Sequence, residues 1–362
     1  MTSSDTDYMT RALFHAGRGR GRTSPNPLVG ALVVSADGVV VGQGHHERAG
    51  GPHAEVHALE SAGERARGGT LYCSLEPCSH VGRTGPCVAR IVDAGVARVV
   101  AAIEDPNPLV SGRGFAFLRA HGVEVDVGVG AEAATRLNQP FLTLMRRRRP
   151  FVVLKAAVSL DGCIAAAPGC RTALTSAAAN RHAQRARAEV DAIGVGVGTI
   201  LADDPLLTAR GAYRERSLTR VVFDRRLRTP PTARVLSTRA AGPVIIVTSA
   251  EAAGRPGVRQ ALEKSGAEIE VAADATLGAA LDRLGAREVG SLLLEGGAAL
   301  HGAAWDEQLV DLVRLYVTPH VLGPAGLRLL GGRPFASAAL VDRRVEPIGP
   351  DVLMEGYVHR PR

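Results

Sequence analysis

Lysine is almost missing from this 362-residue chain: it occurs only at Lys155 and Lys264, and the other 41 of the 43 basic residues are arginine. Where a surface needs only positive charge, arginine supplies it, so a lysine inside an apolar stretch is a candidate for a role that guanidinium cannot fill. Aromatic residues are scarce too, at 4%, which argues against the stacking platforms that hold single-stranded nucleic acid. The cysteines, Cys73, Cys78, Cys87, Cys163 and Cys170, are odd in number and do not suggest a disulfide framework. No stretch approaches the roughly 18 uninterrupted apolar residues of a membrane span. The first residues, which include Asp5 and Asp7, lack the apolar core of a signal peptide. A reducing cytoplasm is the expected compartment.

The length predicts about two domains, each able to bury a core, and 46% hydrophobic with 22% charged residues is an ordinary globular composition. A net charge of +7 admits nucleic acid, an acidic membrane, a phosphorylated small molecule or simply a solvated surface.

Chemistry concentrates in residues 50–87. His53-Ala54-Glu55 is followed by Glu76-Pro77-Cys78 and by Gly85-Pro86-Cys87. One imidazole and two thiolates can hold Zn²⁺ on three sides and leave the fourth position to water, whose pKa the ion lowers towards neutrality. Glu55, two residues after the histidine, is placed to shuttle protons without being a ligand. This is the pattern of zinc-dependent base deaminases. A protease-type pair of His53 and His57 would need its glutamate directly after the first histidine. A structural zinc would show four ligands in close pairs. Eight residues separate Cys78 from Cys87, against the two of most nucleobase deaminases.

Residues 7–17 have helical spacing, and Asp37-Gly38 between apolar runs predicts a hairpin. A helix is expected from Ala54, with His53 in its first turn. The alternating stretch before Glu76 reads as a strand ended by Pro77, with Cys73 as a core hydrophobe. Cys87 opens another helix, capped at Gly95, and a buried strand then leads to a loop with Asp105 and Asn107. This order implies a three-layer α/β domain ending near Leu144. The arginine run 146–149 before Pro150 reads as a solvated connector. Beyond it, Lys155 lies on a strand, Ser176 caps a helix that delivers Arg187, DAIGVGVG reads as a short strand running into glycines, and four further strands follow. Gly296-Gly297 stands where the last of these becomes a helix, a place where backbone N–H groups can approach a phosphate.

NPLVGALVV, GHHERAGGPHAEVHAL, TLYCSLEPCSHVGRTGPC and EDPNPLVSGRG together resemble the deaminase half of the bifunctional riboflavin-biosynthesis deaminase/reductases. The Pro-Cys-Ser-His-x-Gly-Arg-Thr-x-Pro-Cys segment ending at Cys87 is specific to that family. Lys155 with SLDG, LTS at 174–176, GTILADDPLLTAR and LLLEGG resemble its reductase half. The resemblance implies an N-terminal cytidine-deaminase-like three-layer α/β/α domain over 1–145, a linker over 146–150, and a C-terminal dihydrofolate-reductase-like α/β domain over 151–362. It implies zinc on His53, Cys78 and Cys87, with Glu55 as general acid/base. Asn26, His46, His80, Asp105 and Asn107 would line the deaminase substrate pocket. Lys155, Arg187, Leu207, Arg210 and Glu295 would face the phosphoribosyl substrate of the reductase, the arginines pairing its phosphate.

NADPH is the implied hydride donor, contacted by Val158, Ala173, Thr199, Asp203 and Arg225 and by Gly297, Ala298, Ala299, Leu300, His301, Gly302 and Ala303. The chain departs from the family at four places. Gly85 precedes Pro86 where a second proline is frequent, and Ala173 stands where tryptophan is frequent. Arg171 and Arg225 replace small polar residues, and Arg225 is placed to grip the extra phosphate of NADPH.

The implied reactions are consecutive. The first is hydrolytic deamination of 2,5-diamino-6-(5-phosphoribosylamino)pyrimidin-4(3H)-one. The second is NADPH-dependent reduction of the ribosyl group of 5-amino-6-(5-phosphoribosylamino)uracil to ribityl. The expected partners are these phosphorylated pyrimidines, without nucleic acid or membrane, in a homo-oligomer (dimer or tetramer). Three alternatives are a deaminase with a non-catalytic second domain, a diverged enzyme acting on a related pyrimidine in a secondary-metabolite pathway, and a nucleic-acid editing deaminase. The last predicts salt-sensitive RNA binding, and the low aromatic content counts against it.

Overall fold

A computed structural model of the chain describes residues 3–79, 85–108, 110–274 and 276–360. It separates into two compact units that divide between Arg147 and Arg148. The first begins with α1 (Ser3–Gly17) and an antiparallel hairpin of β1 (Gly30–Val34) and β2 (Val40–His45). It continues through α2 (Ala54–Ala62), β3 (Thr70–Cys73), α3 (Cys87–Asp93), β4 (Arg98–Ala101), α4 (Arg113–Ala120), β5 (Glu124–Val127), α5 (Ala131–Leu137) and α6 (Gln139–Arg147). The sheet runs β2-β1-β3-β4-β5, antiparallel as far as β3 and parallel beyond it.

Apolar side chains cover both faces of this sheet, which gives the expected three layers. Met9, Ala12 and Ala134 from α1 and α5 pack on Leu32, Tyr72 and Val100. On the other face Ala58, Ile91, Leu118 and Leu142, from α2, α3, α4 and α6, pack on Val33, Leu71, Cys73 and Val99. The helix α2 lies directly on β2. A Cβ on Gly42 would stand 2.1 Å from the Ala58 carbonyl oxygen, and one on Gly44 2.5 Å from that of Ala54. Only hydrogen fits at either position, and this contact sets the height of the α2 N-terminus above the strand ends.

Local boundaries differ from the sequence expectations. The first helix starts at Ser3 rather than at residue 7, and His53 is the N-cap of α2 rather than part of its first turn. Pro77 does not end β3: the strand stops at Cys73, and Cys78 lies in the loop beyond it. Ala94 is the C-cap of α3, with Gly95 following at φ +68°.

The second unit starts with β6 (Phe151–Ser159), β7 (Cys163–Ala165), α7 (Ala177–Glu189), β8 (Ala192–Gly196), α8 (Val197–Asp203), β9 (Thr219–Phe223), α9 (Arg234–Ser237) and β10 (Val244–Ser249). Next come α10 (Ala250–Ala253), α11 (Pro256–Lys264), β11 (Ala267–Ala272), α12 (Leu277–Ala286), β12 (Ser291–Leu294) and α13 (Ala298–Asp306). It closes with β13 (Leu312–Thr318), β14 (Leu327–Arg328), β15 (Val341–Ile348) and β16 (Asp351–Tyr357). The main sheet runs β11-β10-β9-β8-β12-β6-β13-β16-β15, and β7 pairs with β14 separately. All its pairs are parallel except those made by β16 with β13 and β15. Leu154, Ile245, Leu284 and Leu292 fill one face, and Ile193, Val222, Ile246 and Leu262 the other. Ser176 caps α7 by accepting from the Ala179 N–H at 3.3 Å.

The arginine run is not a solvated connector throughout. Arg146 and Arg147 finish α6, while Arg149 is only 7% exposed. Its Nη1 donates to Asp311 Oδ2 at 2.7 Å and to the Pro150 carbonyl at 2.8 Å, and its Nη2 donates to Asp311 Oδ1 at 2.9 Å. Asp311 also accepts the Val152 N–H at 2.8 Å. A planar fork on a planar carboxylate thus anchors the start of β6, and composition alone carried no sign of the distant aspartate. Among the described residues no helix is long and apolar enough to cross a membrane.

Candidate active sites

In the first unit the α2 N-terminus, the loop after β3 and the α3 N-terminus converge. His53 Nδ1 lies 3.2 Å from Cys87 Sγ and 3.4 Å from Cys78 Sγ, and the Cys87 N–H points at Cys78 Sγ from 3.4 Å. The three donor atoms all fall within 4.8 Å of one another. Donation from Cys87, then the His53 ring, hold the Cys78 thiol far below its ordinary range against the cost of burial. The same shared proton, together with burial, pushes Cys87 up. The two thiols share a proton, and a cation between them would stabilise both as thiolates.

Glu55 stands in the first turn of α2 and is 3% exposed. Burial pushes its carboxyl up, against the pull of His53. Among the described residues its Oε2 is buried without a hydrogen-bond partner, although buried carboxylate oxygens are normally satisfied. The His/Cys/Cys donor set suits Zn²⁺, and a water held beside it would supply the partner that Glu55 lacks. The residues present therefore fit the ion.

His46 packs edge-on against His53, with ring centroids 5.5 Å apart. Its Nδ1 is 3.0 Å from the Pro52 carbonyl, which can only accept, so Nδ1 carries the proton and Nε2 accepts from Asn26 Nδ2 at 3.2 Å. Burial lowers the pKa of this ring and so favours its neutral form. Asp105 and Asn107 lie on the loop after β4, where the Asn107 N–H donates to Asp105 Oδ1 at 2.8 Å. His80 lies outside the described residues.

In the second unit the chemistry gathers at the middle of β6 and the carboxyl end of β12. Arg187 on α7 grips Glu295 in a fork, Nε to Oε1 at 2.9 Å and Nη2 to Oε2 at 2.6 Å, and its Nη1 donates to the Thr208 carbonyl. Lys155 Nζ stands 3.7 Å from Glu295 Oε2 and 5.5 Å from the Tyr316 ring centroid. Burial alone would raise the Glu295 carboxyl, but the Arg187 and Lys155 charges override it and hold the group at about 2. Burial lowers the Lys155 ammonium despite Glu295.

A cleft of about 510 Å³ is lined by Lys155, Thr199, Asp203, Glu295, Gly297, Ala298, Ala299, Leu300 and His301. His301 donates towards the Leu294 carbonyl at 3.3 Å, and burial drops its pKa to about 4. A neighbouring cleft of about 790 Å³ shares Ala157, Arg171, Thr172 and Leu174 with the first, and adds Ala173, Arg181, Arg185 and Arg210. Arg225, Leu300 and Ala303 meet in a third recess of about 160 Å³ at the ends of β9 and β10. Val158 and Leu207 are core residues, Arg187 is spent on Glu295 and Thr208, and Gly302 packs beneath Arg333; none of these four lines the three clefts.

Sequence reasoning missed several groups. Tyr316 lies under Lys155 and shares a 2.8 Å hydrogen bond with His182 Nδ1. Arg181 and Arg185 share a face of α7 at a spacing of four, a pattern visible in the sequence. Glu76, beside Pro77, was passed over as part of a motif; it is buried and accepts backbone N–H groups from the loop after β4.

Residues 2–103 match the family model of the cytidine and deoxycytidylate deaminase zinc-binding region, and residues 150–354 match the RibD C-terminal domain. The riboflavin biosynthesis protein RibD of Aquifex aeolicus is 40% identical over 97% of each chain. That of Escherichia coli is 39% identical over 97% of this chain and 98% of its own. Among solved structures, Acinetobacter baumannii RibD superposes with a TM-score of 0.86 at 36% identity over 98% of each chain. A diaminohydroxyphosphoribosylaminopyrimidine deaminase/5-amino-6-(5-phosphoribosylamino)uracil reductase from Thermotoga maritima gives 0.84 at 34% identity over 99% of each.

Proposed function

The chain belongs to the family of the bifunctional riboflavin-biosynthesis deaminase/reductases, and from that membership we propose how its residues divide the two reactions. It is a zinc-dependent deaminase and an NADPH-dependent reductase of riboflavin biosynthesis, with a cytidine-deaminase-like domain followed by a dihydrofolate-reductase-like one. The unit ending at Arg147 is assigned deamination of the diaminopyrimidine and the unit from Arg148 reduction of its product. The observation that carries the first assignment is the meeting of His53 Nδ1, Cys78 Sγ and Cys87 Sγ beside the unpartnered Glu55 Oε2.

His53, Cys78 and Cys87 hold zinc, which when bound supplies a Lewis acid that brings the proton of water within reach near neutral pH. Glu55 takes that proton at Oε2 and gives it to the ring nitrogen, then carries the second proton of the same water to the departing amine, which leaves as ammonia. Its burial excludes competing water, and its raised pKa suits a group that must both accept and give. His46, fixed by Pro52 and Asn26, offers the pocket a defined edge; His80, Asp105 and Asn107 complete the contacts to the pyrimidine and its phosphoribosyl group.

In the reductase, NADPH would supply hydride when bound along Gly297, Ala298, Ala299, Leu300, His301 and Ala303, with Ala173, Thr199, Asp203 and Arg225 completing its contacts, while Val158 and Gly302 support that wall from the core without lining a cleft. Glu295, clamped by Arg187, holds Lys155 at the ribosyl end of the substrate. Arg210 pairs the substrate phosphate, helped by Arg171 in the same cleft, and Leu207 shapes the wall behind them. The low aromatic content supports small-molecule substrates without a nucleic-acid partner, and the odd, unpaired cysteines support a cytoplasmic setting. A homo-oligomer is proposed on family membership alone.

Chelation tests the division of labour. Removing zinc is expected to abolish ammonia release from the diaminopyrimidine, leave NADPH oxidation with the deaminated substrate unchanged, and be reversed by added zinc. Deamination that survives metal removal contradicts the assignment.

A further inference from the structure

Glu76 is two residues before Cys78, is 3% exposed, and has no place on the proton path held by Glu55. Its Oε2 accepts the Asp105 N–H at 3.2 Å and the Gly112 N–H at 3.0 Å, and its Oε1 accepts the Gly114 N–H at 2.9 Å and the Phe115 N–H at 3.4 Å. Asp105 lies near the start of the loop between β4, which ends at Ala101, and α4, and Gly112 is the last residue of that loop, the N-cap of α4. One carboxylate therefore ties the Asp105 stretch of the loop to the start of α4 and satisfies N–H groups of the α4 N-terminus that have no partner within the helix. The backbone joins in: the Glu76 N–H donates to the Ile103 carbonyl at 3.0 Å, and a Cβ on Gly114 would stand 2.2 Å from the Pro77 carbonyl oxygen. The first turn of α4 is thus pressed against the peptide that leads into Cys78.

We propose that Glu76 is a positioning residue for deamination, fixing the loop that carries Asp105 and Asn107 relative to the Cys78 segment. The proposal rests on the assignment of Asp105 and Asn107 to substrate binding. A carboxylate suits the task because both its oxygens only accept. A glutamine there would turn its amide N–H₂ towards two of the backbone donors, leaving buried N–H groups unpaired and the loop free to shift. Misplacing groups that hold a substrate costs binding and orientation even when the reacting centre is intact.

The test uses the full-length enzyme with Glu76→Gln and, separately, Gly114→Ala, which strains the same contact without changing any charge. Zinc content, deamination kinetics and NADPH-dependent reduction are measured on each, with Asn107→Ala as reference. The expected result is wild-type zinc content and reduction, with KM for the diaminopyrimidine raised roughly tenfold or more in both variants and kcat lowered less. An unchanged KM in zinc-loaded Glu76→Gln overturns the proposal. So does loss of zinc and kcat together at constant KM, which marks a purely structural role. If Asn107→Ala raises KM and Glu76→Gln does not, only the role of Glu76 falls. If Asn107→Ala leaves KM unchanged, the loop does not hold substrate and the underlying assignment falls with it.

Discussion

In the first unit the proposed zinc ligands and proton shuttle come from residues 53–87, on two helix N-termini and the loop between them. In the second, Lys155, Arg187 and Glu295 come from β6, α7 and the end of β12, and they meet because β6 and β12 are neighbours in the sheet. The first site is built to hold a cation between soft donors and keeps one carboxylate oxygen in reserve. The second is a buried network already satisfied from within, with two cations on one carboxylate. Such a network resists change, since removing one member strands the others in a poorly solvated place.

The sharpest way to break this comparison is at Lys155. Lys155→Met is expected to lower kcat for reduction by roughly 10²–10⁴-fold while ammonia release is unchanged. Equal loss of both activities would show that the two sites are not separable.

That asymmetry also decided what could be read from the chain. The meeting of His53, Cys78 and Cys87 was legible because metal ligation demands particular atoms, Glu55 stood out as an acid beside them, and alternating Leu71 and Cys73 announced the strand before Cys78. The isolation of Lys155 in an arginine-rich protein singled it out by composition. Its partners were invisible without the family resemblance, because long-range pairs such as Lys155–Glu295 and Arg149–Asp311 leave no local periodicity. β15 was missed for a related reason: VDRRVEPI is exposed along nearly its whole length and shows no apolar alternation. Glu76 was hidden because its partners are backbone N–H groups, which any sequence supplies.

Acid should separate the units further. The Glu295 carboxyl, held at about 2, favours the folded state above the ordinary carboxylate pKa, and that stability is lost as pH falls towards 2. Its size is on the order of 3 kcal/mol. The thermal transition of the second unit should therefore drop between about pH 5 and 2, and Glu295→Gln should flatten that slope. A wild-type slope in the variant would show that other groups carry the acid sensitivity.

A smaller effect is expected at Gly44, where α2 rests on β2. Gly44→Ala should destabilise the first unit by about 1–3 kcal/mol and weaken deamination by tilting His53 and Glu55, leaving the second unit's transition in place. Full deaminase activity and stability in that variant would mean the helix can lift without disturbing the metal ligands.

The measurement closest to the central claim is Glu55→Gln in the full-length enzyme, followed by zinc analysis and both assays. Unaltered zinc content, deamination reduced by roughly 10²–10⁴-fold and full NADPH-dependent reduction of the deaminated pyrimidine are the predicted result. Deamination at the wild-type rate with zinc still bound would contradict it.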